Sequence, residues 1–191
     1  MSEKIRLKPL DLRQAFTYFE SGPVLLVSTH DKKTGQDNLM TLSWHMVNDF
    51  TPRIAFTTGP WNHSFELMVR NKECVLAVPP PSLLKTVVGI GTCSGKEVDK
   101  WQKFNLTRQA AQAVKAPLIQ ECLGCLECKL VKYLKTYDIL VWQGVKMWYN
   151  PRLPRGKTVH ANGDGTFFAD GKFFNLRRAM AQLLRPSQYR F

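Results

Sequence analysis

The sequence predicts a mainly β protein with a few short helices, an antiparallel sheet curled into a closed or nearly closed barrel. Three observations carry this reading. Six or seven short segments are apolar and β-branched, or alternate with period two. Polar and proline-containing turns separate them, as at HDKKTGQD (30–37) and DFTP (49–52). The early strands follow one another through connections too short for the crossover that parallel strands require, and this favours barrel closure.

Each element follows from its local pattern. Residues 9–20 (PLDLRQAFTYFE) read as a short helix with Leu12, Phe16 and Phe19 on one side. PVLLVST (23–29), NLMTLSWHM (38–46) and RIAFTTG (53–59) read as three strands of a meander. HSFELMVRN (63–71) reads as a helix with Asn62 as its N-cap. ECVLAVP (73–79) is a fourth strand, ended by three prolines. SLLKTVVGIG (82–91) is a short helix running into a glycine-containing loop, and TCSGKEVDKWQKF (92–104) is a loop and then a helix. KAPLIQE (115–121) is extended or turn-like. LECKLVKYL (126–134) and YDILVWQGVKMWY (137–149) read as two long strands joined at Lys135–Thr136. TFFADGKFF (166–174) has Asp170–Gly171 between aromatic runs, a short hairpin signal. NLRRAMAQLL (175–184) reads as a helix. The 191 residues make one domain, with 150–191 a hairpin-plus-helix extension.

Composition bounds the function. No apolar run reaches the ~18 residues that span a bilayer, and the N-terminus has no apolar signal region. Five cysteines, three of them between 122 and 128, suit reduced thiols in the cytoplasm better than a secreted disulfide framework. The formal net charge of +12 is concentrated late in the chain, where residues 151–191 alone carry +6. A basic C-terminal third suits an acidic protein partner, an acidic surface or nucleic acid, and equally a solvated surface with no partner.

Candidate chemistry centres on Asn38–Ser64. The free N–H groups at a helix start bind anions, and Asn62, His63 and Ser64 add polar side chains there. Ordinary capping would use the same residues. Thr57, Thr58 and Gly59, at the end of the preceding strand, add hydroxyls and allow close backbone approach. Thr41, Ser43 and His45 share one strand face, with Met40, Leu42, Trp44 and Met46 on the other. That polar row fits a solvent face or the polar edge of a flat ring. A ring with an anionic tail points to flavin mononucleotide, FMN. Donors at its C2 carbonyl and N1 would raise its reduction potential. Trp44 reads as core or dimer interface.

Two further stretches stand out. Gly89–Gly95 lacks the spacing of a phosphate loop or dinucleotide fingerprint. It reads as a connector, or as a flap whose Ser94 closes over the ring, with Lys100 within reach of an anion. Cys122-x-x-Cys125-x-x-Cys128 resembles part of an iron–sulfur run but lacks a fourth ligand, and Lys129 follows where proline is common. Buried thiols, with no metal, are the expectation.

With these residues assembled, the chain resembles the flavin reductase-like family with the FMN-binding split-barrel fold, and within it the flavoredoxin-like members. The match runs over roughly residues 20–175. It rests on PVLLVST, NLMTLSWHM, the Pro52 turn, WNHSFELMVRNKECVLAVP, VVGIGTCSGKEVDK, APLIQE, LECKL and KTVHANGDGTFFADGKFF. The resemblance implies a homodimer of six-stranded Greek-key split barrels, with one FMN per subunit near the dimer interface. It implies that Thr41, Ser43 and Trp44 line the ring. Thr57, Thr58 and Gly59 would follow the ribityl chain and phosphate. Asn62, His63 and Ser64 would hold the phosphate, and Cys93, Ser94 and Lys100 would complete the pocket. Cys122 and Cys125 depart from the family pattern, which has a single cysteine matching Cys128.

Three functions compete at this stage. The first is an FMN electron carrier served by acidic ferredoxin- or flavodoxin-like partners, which Arg152, Arg155, Lys157, Arg177 and Arg178 would steer. The second is an NAD(P)H:flavin oxidoreductase. The third is a nucleic-acid-binding barrel stacking bases on Trp142, Trp148, Tyr149, Phe167 and Phe173. No nucleic-acid motif or membrane segment supports partners of those kinds. His160 reads as a surface-loop residue or a peripheral member of the pocket.

Overall fold

The computed structural model describes residues 6–153, 157–176 and 178. One antiparallel sheet organises it. Its six main strands are β2 (Leu25–His30), β3 (Asp37–Leu42), β5 (Arg53–Thr57), β6 (Glu73–Val78), β9 (Gly124–Leu134) and β10 (Ile139–Tyr149). Two three-residue strands, β1 (Lys8–Leu10) and β4 (His45–Val47), extend it. The spatial order is β3-β2-β6-β9-β10-β5-β4, with β1 also pairing β10.

That order explains the barrel. β3 and β4 stand at opposite edges of the sheet, yet only Ser43 and Trp44 separate them in the chain. Consecutive Cα atoms lie 3.8 Å apart, so Leu42 and His45 are within about 11 Å. The sheet must curl until its edges nearly meet, and the split between them is spanned by Ser43–Trp44.

Alternation sends side chains to two buried faces. Leu25, Val27, Met40, Ile54, Phe56, Cys74, Leu76, Leu126, Cys128, Leu140 and Trp142 fill the interior. The rings of Phe56 and Trp142 stack at 5.7 Å, a contact contributing about 0.5–1.5 kcal/mol beyond burial. The outer face of β2, β6 and β9 would be wet, but the excursion between β6 and β9 covers it. Val87 and Ile90 of α3 (Leu84–Gly91), Trp101 of α4 (Lys100–Lys103), and Leu118 and Ile119 pack on Leu26, Val75, Ala77 and Cys125. Within that excursion β7 (Arg108–Gln109) pairs β8 (Leu118–Ile119). Glu127, fully buried on β9, fixes it in place. Its carboxylate accepts from the backbone N–H groups of Gln112, Ala113 and Val114 and from Trp148 Nε1 at 2.7 Å.

Several expected boundaries move. Residues 9–20 are not one helix: β1 takes 8–10, a 3-10 turn follows over Leu12–Gln14, and α1 spans Phe16–Phe19. NLMTLSWHM is not one strand, because the chain leaves one sheet edge at Leu42 and joins the other at His45. Gly89–Gly91 belong to α3, so only 92–99 are loop. The C-terminal hairpin pairs β11 (Val159–Ala161) with β12 (Phe167–Ala169). Its turn lies at 162–166, where Gly163 and Gly165 take φ of +89°, and Asp170–Gly171 follows β12 instead. Most of the expected helix over 175–184, with Arg177, and also Arg155 fall on residues outside those described; residues 175 and 176 are described and are not helical. α2 spans His63–Asn71, matching the sequence pattern. Among the described residues no helix is long and apolar enough to cross a membrane.

Candidate functional site

A single stretch of chain, 57–64, runs from the split of the barrel to the start of α2. At the split, Ser43 and Trp44 are exposed and Thr57 is half-buried. With His45, Met46 and Ile139 they line an apolar hollow of about 270 Å³. The Thr57 N–H donates to the Trp44 carbonyl at 3.1 Å, which ties the linker to β5. Thr58 and Gly59 come next and are buried. At Gly59 a Cβ would sit 2.1 Å from the exposed Trp61 ring, which packs over the glycine and would have to move.

The start of α2 is uncapped. Asn62 occupies the N-cap position but makes no capping bond; its Nδ2 donates to Thr58 Oγ1 at 2.9 Å instead. The first N–H groups of a nine-residue helix, with their share of the helix dipole, are thereby left for an anion. His63 opens the helix, and its buried Nδ1 has no partner. Burial, reinforced by the charge of Lys96, holds its pKa below the ordinary imidazole value, with Glu66 and Asp31 opposing. Ser64 Oγ is buried and accepts from Asn38 Nδ2 at 2.8 Å. Asn38 Oδ1 is buried and unpartnered, and Gly95 packs so close that a Cβ would meet it at 2.0 Å.

Lys100 lies beneath this corner, 6% exposed, and among the described residues no carboxylate pairs with it. Its Nζ donates to Leu39 O at 2.9 Å and to Ile90 O, in the last turn of α3, at 2.8 Å. A cation suits a helix C-terminus. Burial lowers its pKa, and nearby Cys93 opposes that. Two of its three N–H donors are therefore spent on backbone, and its role is a buried positive charge that also pins α3 to β3.

The predicted residues thus fall into two groups joined by 57–62. Ser43, Trp44 and Thr57 gather at the split. His63, Ser64 and Lys100 gather at the basic corner, flanked by the loop carrying Cys93 and Ser94. Three expectations are corrected. The row Thr41–Ser43–His45 does not share a face, because the strand ends between them; Thr41 Oγ1 instead donates to Val87 O at 2.6 Å. Trp44 is 68% exposed and no part of this chain's core. Trp142 and Trp148 are buried, which takes two of the five expected stacking residues out of any nucleic-acid surface. Asn38 and Lys96 were missed. Asn38 reads as a strand residue and Lys96 as a loop charge, and only packing brings them to the corner.

The cysteines are all free thiols, and Cys74, Cys122, Cys125 and Cys128 are buried. Burial pushes the Cys125 thiol up to about 12. Among the described residues no group of His, Cys, Asp and Glu is arranged to hold a metal ion.

Comparison with known proteins adds the following. The family model described as a flavin reductase like domain matches residues 18–170. Over 182 residues the chain is 25% identical to an Escherichia coli K12 protein named uncharacterized protein YddH, covering 87% of this chain and 96% of that one. The fold superposes on an FMN-binding domain of a flavin reductases-like enzyme from Shewanella baltica with a TM-score of 0.82 at 20% identity, covering 91% of this chain and 98% of that one. It also superposes on flavoredoxin of Desulfovibrio vulgaris (Miyazaki F) with a TM-score of 0.74 at 20% identity, covering 81% and 89%.

Proposed function

The chain belongs to the flavin reductase-like family, and from that premise we propose that it binds FMN along the Ser43–Ser64 track and carries electrons between redox partners. The observation that carries the reading is the unused anion site at the end of that track. The N-cap side chain is turned away, His63 Nδ1 has no partner, and Lys96 and Lys100 add positive charge around it. A phosphate satisfies all of these at once. The exposed Ser43 suits the polar edge of a ring lying in the hollow at the split. Bound FMN would supply one- or two-electron chemistry. The residues of this chain hold the phosphate, orient the ring and exclude water from its buried side.

We also propose a homodimer through the split edge, since Trp44 and Met46, 68% and 59% exposed, present apolar surface there. The charge of +12 favours acidic donor proteins. The free thiols suit a cytoplasmic setting.

The test is the visible spectrum of the desalted protein titrated with FMN, then anaerobic addition of NADH or NADPH. An FMN complex bleached by dithionite and unaffected by nicotinamides supports a carrier. Rapid bleaching by a nicotinamide would instead assign a flavin reductase. Absence of FMN binding sinks the proposal.

A further inference from the structure

The C-terminal hairpin does not enter the site, yet it is bolted to the chain beside it. Val24 N–H donates to Val159 O at 2.7 Å. His160, 8% exposed, turns its Nδ1 to Gly22 O at 3.2 Å and its Nε2 to Asp170 Oδ1 at 2.8 Å. Phe168 stacks on its ring at 4.8 Å. Asp170 is itself fixed by Thr158, whose N–H and Oγ1 both donate to Oδ2, at 2.6 and 2.8 Å. A carbonyl oxygen only accepts, so Nδ1 of His160 carries the proton toward Gly22.

The next carbonyl along the chain is taken from the other side. His45 Nε2 donates to Pro23 O at 2.6 Å, and the ring packs edge-on to Phe19. Two histidines, one from the hairpin and one from β4, therefore grip consecutive carbonyls of a single corner. Gly22 sits at φ +68°, a backbone state that other residues enter with strain. His45 is the residue immediately after Ser43–Trp44. Beyond the pairing of His45 with Phe56 on β5, two bonds among the described residues hold the ends of that linker. One is Thr57 N–H to Trp44 O; the other anchors His45 to Pro23.

We propose that His160, its ring oriented by Asp170, is a positioning residue for the Ser43–Trp44 linker: the hairpin fixes the Gly22–Pro23 corner through the His160 Nδ1 bond, and the corner fixes His45. The extension thereby sets the geometry of the ring end of the site without touching a ligand. The functional consequence rests on the FMN reading above; the positioning itself does not.

The experiment uses the full chain with H160A, H160Q and H160N. An asparagine amide nitrogen falls near the position of Nδ1, and a glutamine amide nitrogen near that of Nε2. H160N therefore keeps the donor to Gly22, while H160Q keeps only the contact with Asp170. Hydrogen exchange by mass spectrometry, without ligand, reads the linker directly. We expect H160A and H160Q to speed exchange in peptides covering 43–47 and 57 by about tenfold or more, with H160N close to wild type. Equal exchange in all four proteins overturns the proposal, whether or not the chain binds FMN. FMN titration of the same variants reads the consequence. A several-fold weaker affinity and an altered flavin visible circular dichroism in H160A, both restored in H160N, support the link to the ring. A wild type that binds no FMN while H160A still loosens the linker upholds the positioning role and removes only the flavin reading. A uniform loss of exchange protection throughout H160A and H160N alike would make the histidine merely structural and overturn the proposal.

Discussion

The ammonium of Lys100 donates 2.9 Å to the carbonyl of Leu39, so a charge carried on the short helix α4 is buried against the edge strand β3. The same group holds Ile90 O at the end of α3, and among the described residues no carboxylate compensates it. A buried charge without a counter-ion is costly, so the corner is preset to accept an anion.

Replacing Lys100 with Met tests this. Two buried carbonyls lose their donor, at about 1–3 kcal/mol each when left unsatisfied. We expect a lowered urea midpoint together with weaker binding of both FMN and inorganic phosphate. Addition of phosphate should stabilise the wild type and fail to stabilise K100M; equal stabilisation of the two would remove Lys100 from the anion site.

His63 makes the site pH-dependent. Its pKa lies below the ordinary 6.5, so the ring is neutral at neutral pH. A phosphate beside it would raise that pKa, so binding takes up a proton and strengthens as pH falls, by no more than about tenfold per unit. H63A should flatten this dependence. His45, also held below 6.5 by burial, acts on the fold in the opposite sense. The unfolded chain takes its proton first, so stability declines as pH drops below 6.5. H45Q should remove that component. Titration calorimetry and thermal melts between pH 5 and 8 separate the two effects.

Gly95 and Gly59 form a contrasting pair. At Gly95 a Cβ would strike Asn38 Oδ1 at 2.0 Å, and Asn38 is pinned by Ser64. G95A should therefore push the 92–99 loop off β3 and weaken FMN binding about tenfold or more. At Gly59 the obstacle is the exposed Trp61 ring, free to swing away, so G59A should alter tryptophan emission with a smaller loss of affinity.

Glu127 carries four donors on one buried carboxylate. E127A leaves three backbone amides and an indole N–H unpaired, and we expect a loss of about 3 kcal/mol or more in urea unfolding. E127Q retains acceptor capacity at one oxygen and should lose less. A change below about 1 kcal/mol in E127A would show that the 110–114 segment can repair itself with water.

Thiol labelling should separate Cys93 from the rest. It is the one cysteine of the five that is not buried. A thiol-reactive dye at pH 8 should label one cysteine in the folded protein and five in urea. Rapid labelling of Cys122 or Cys125 would contradict their burial and raised pKa.

What the sequence determined by itself is the local periodic content: the strands 25–30, 53–57 and 73–78, the helix 63–71, and a helix start rich in polar side chains. Each is set by neighbouring residues, so each is legible from spacing. Tertiary structure alone decided the rest. NLMTLSWHM reads as one strand because alternation runs through it, but pairing on both sheet edges breaks it at Ser43–Trp44. Lys100 reads as a free cation until burial commits it to Leu39 and Ile90. Asn38, Gly95 and Lys96 stand far apart in sequence from His63 and Ser64, and no pattern joins them before the barrel curls. His160 reads as a loop histidine because its partners, Gly22 and Asp170, are 138 and 10 residues away. Periodicity reports which face a residue shares with its neighbours. Only closure of the sheet, driven by burial of both its faces, reports which distant residues that face meets.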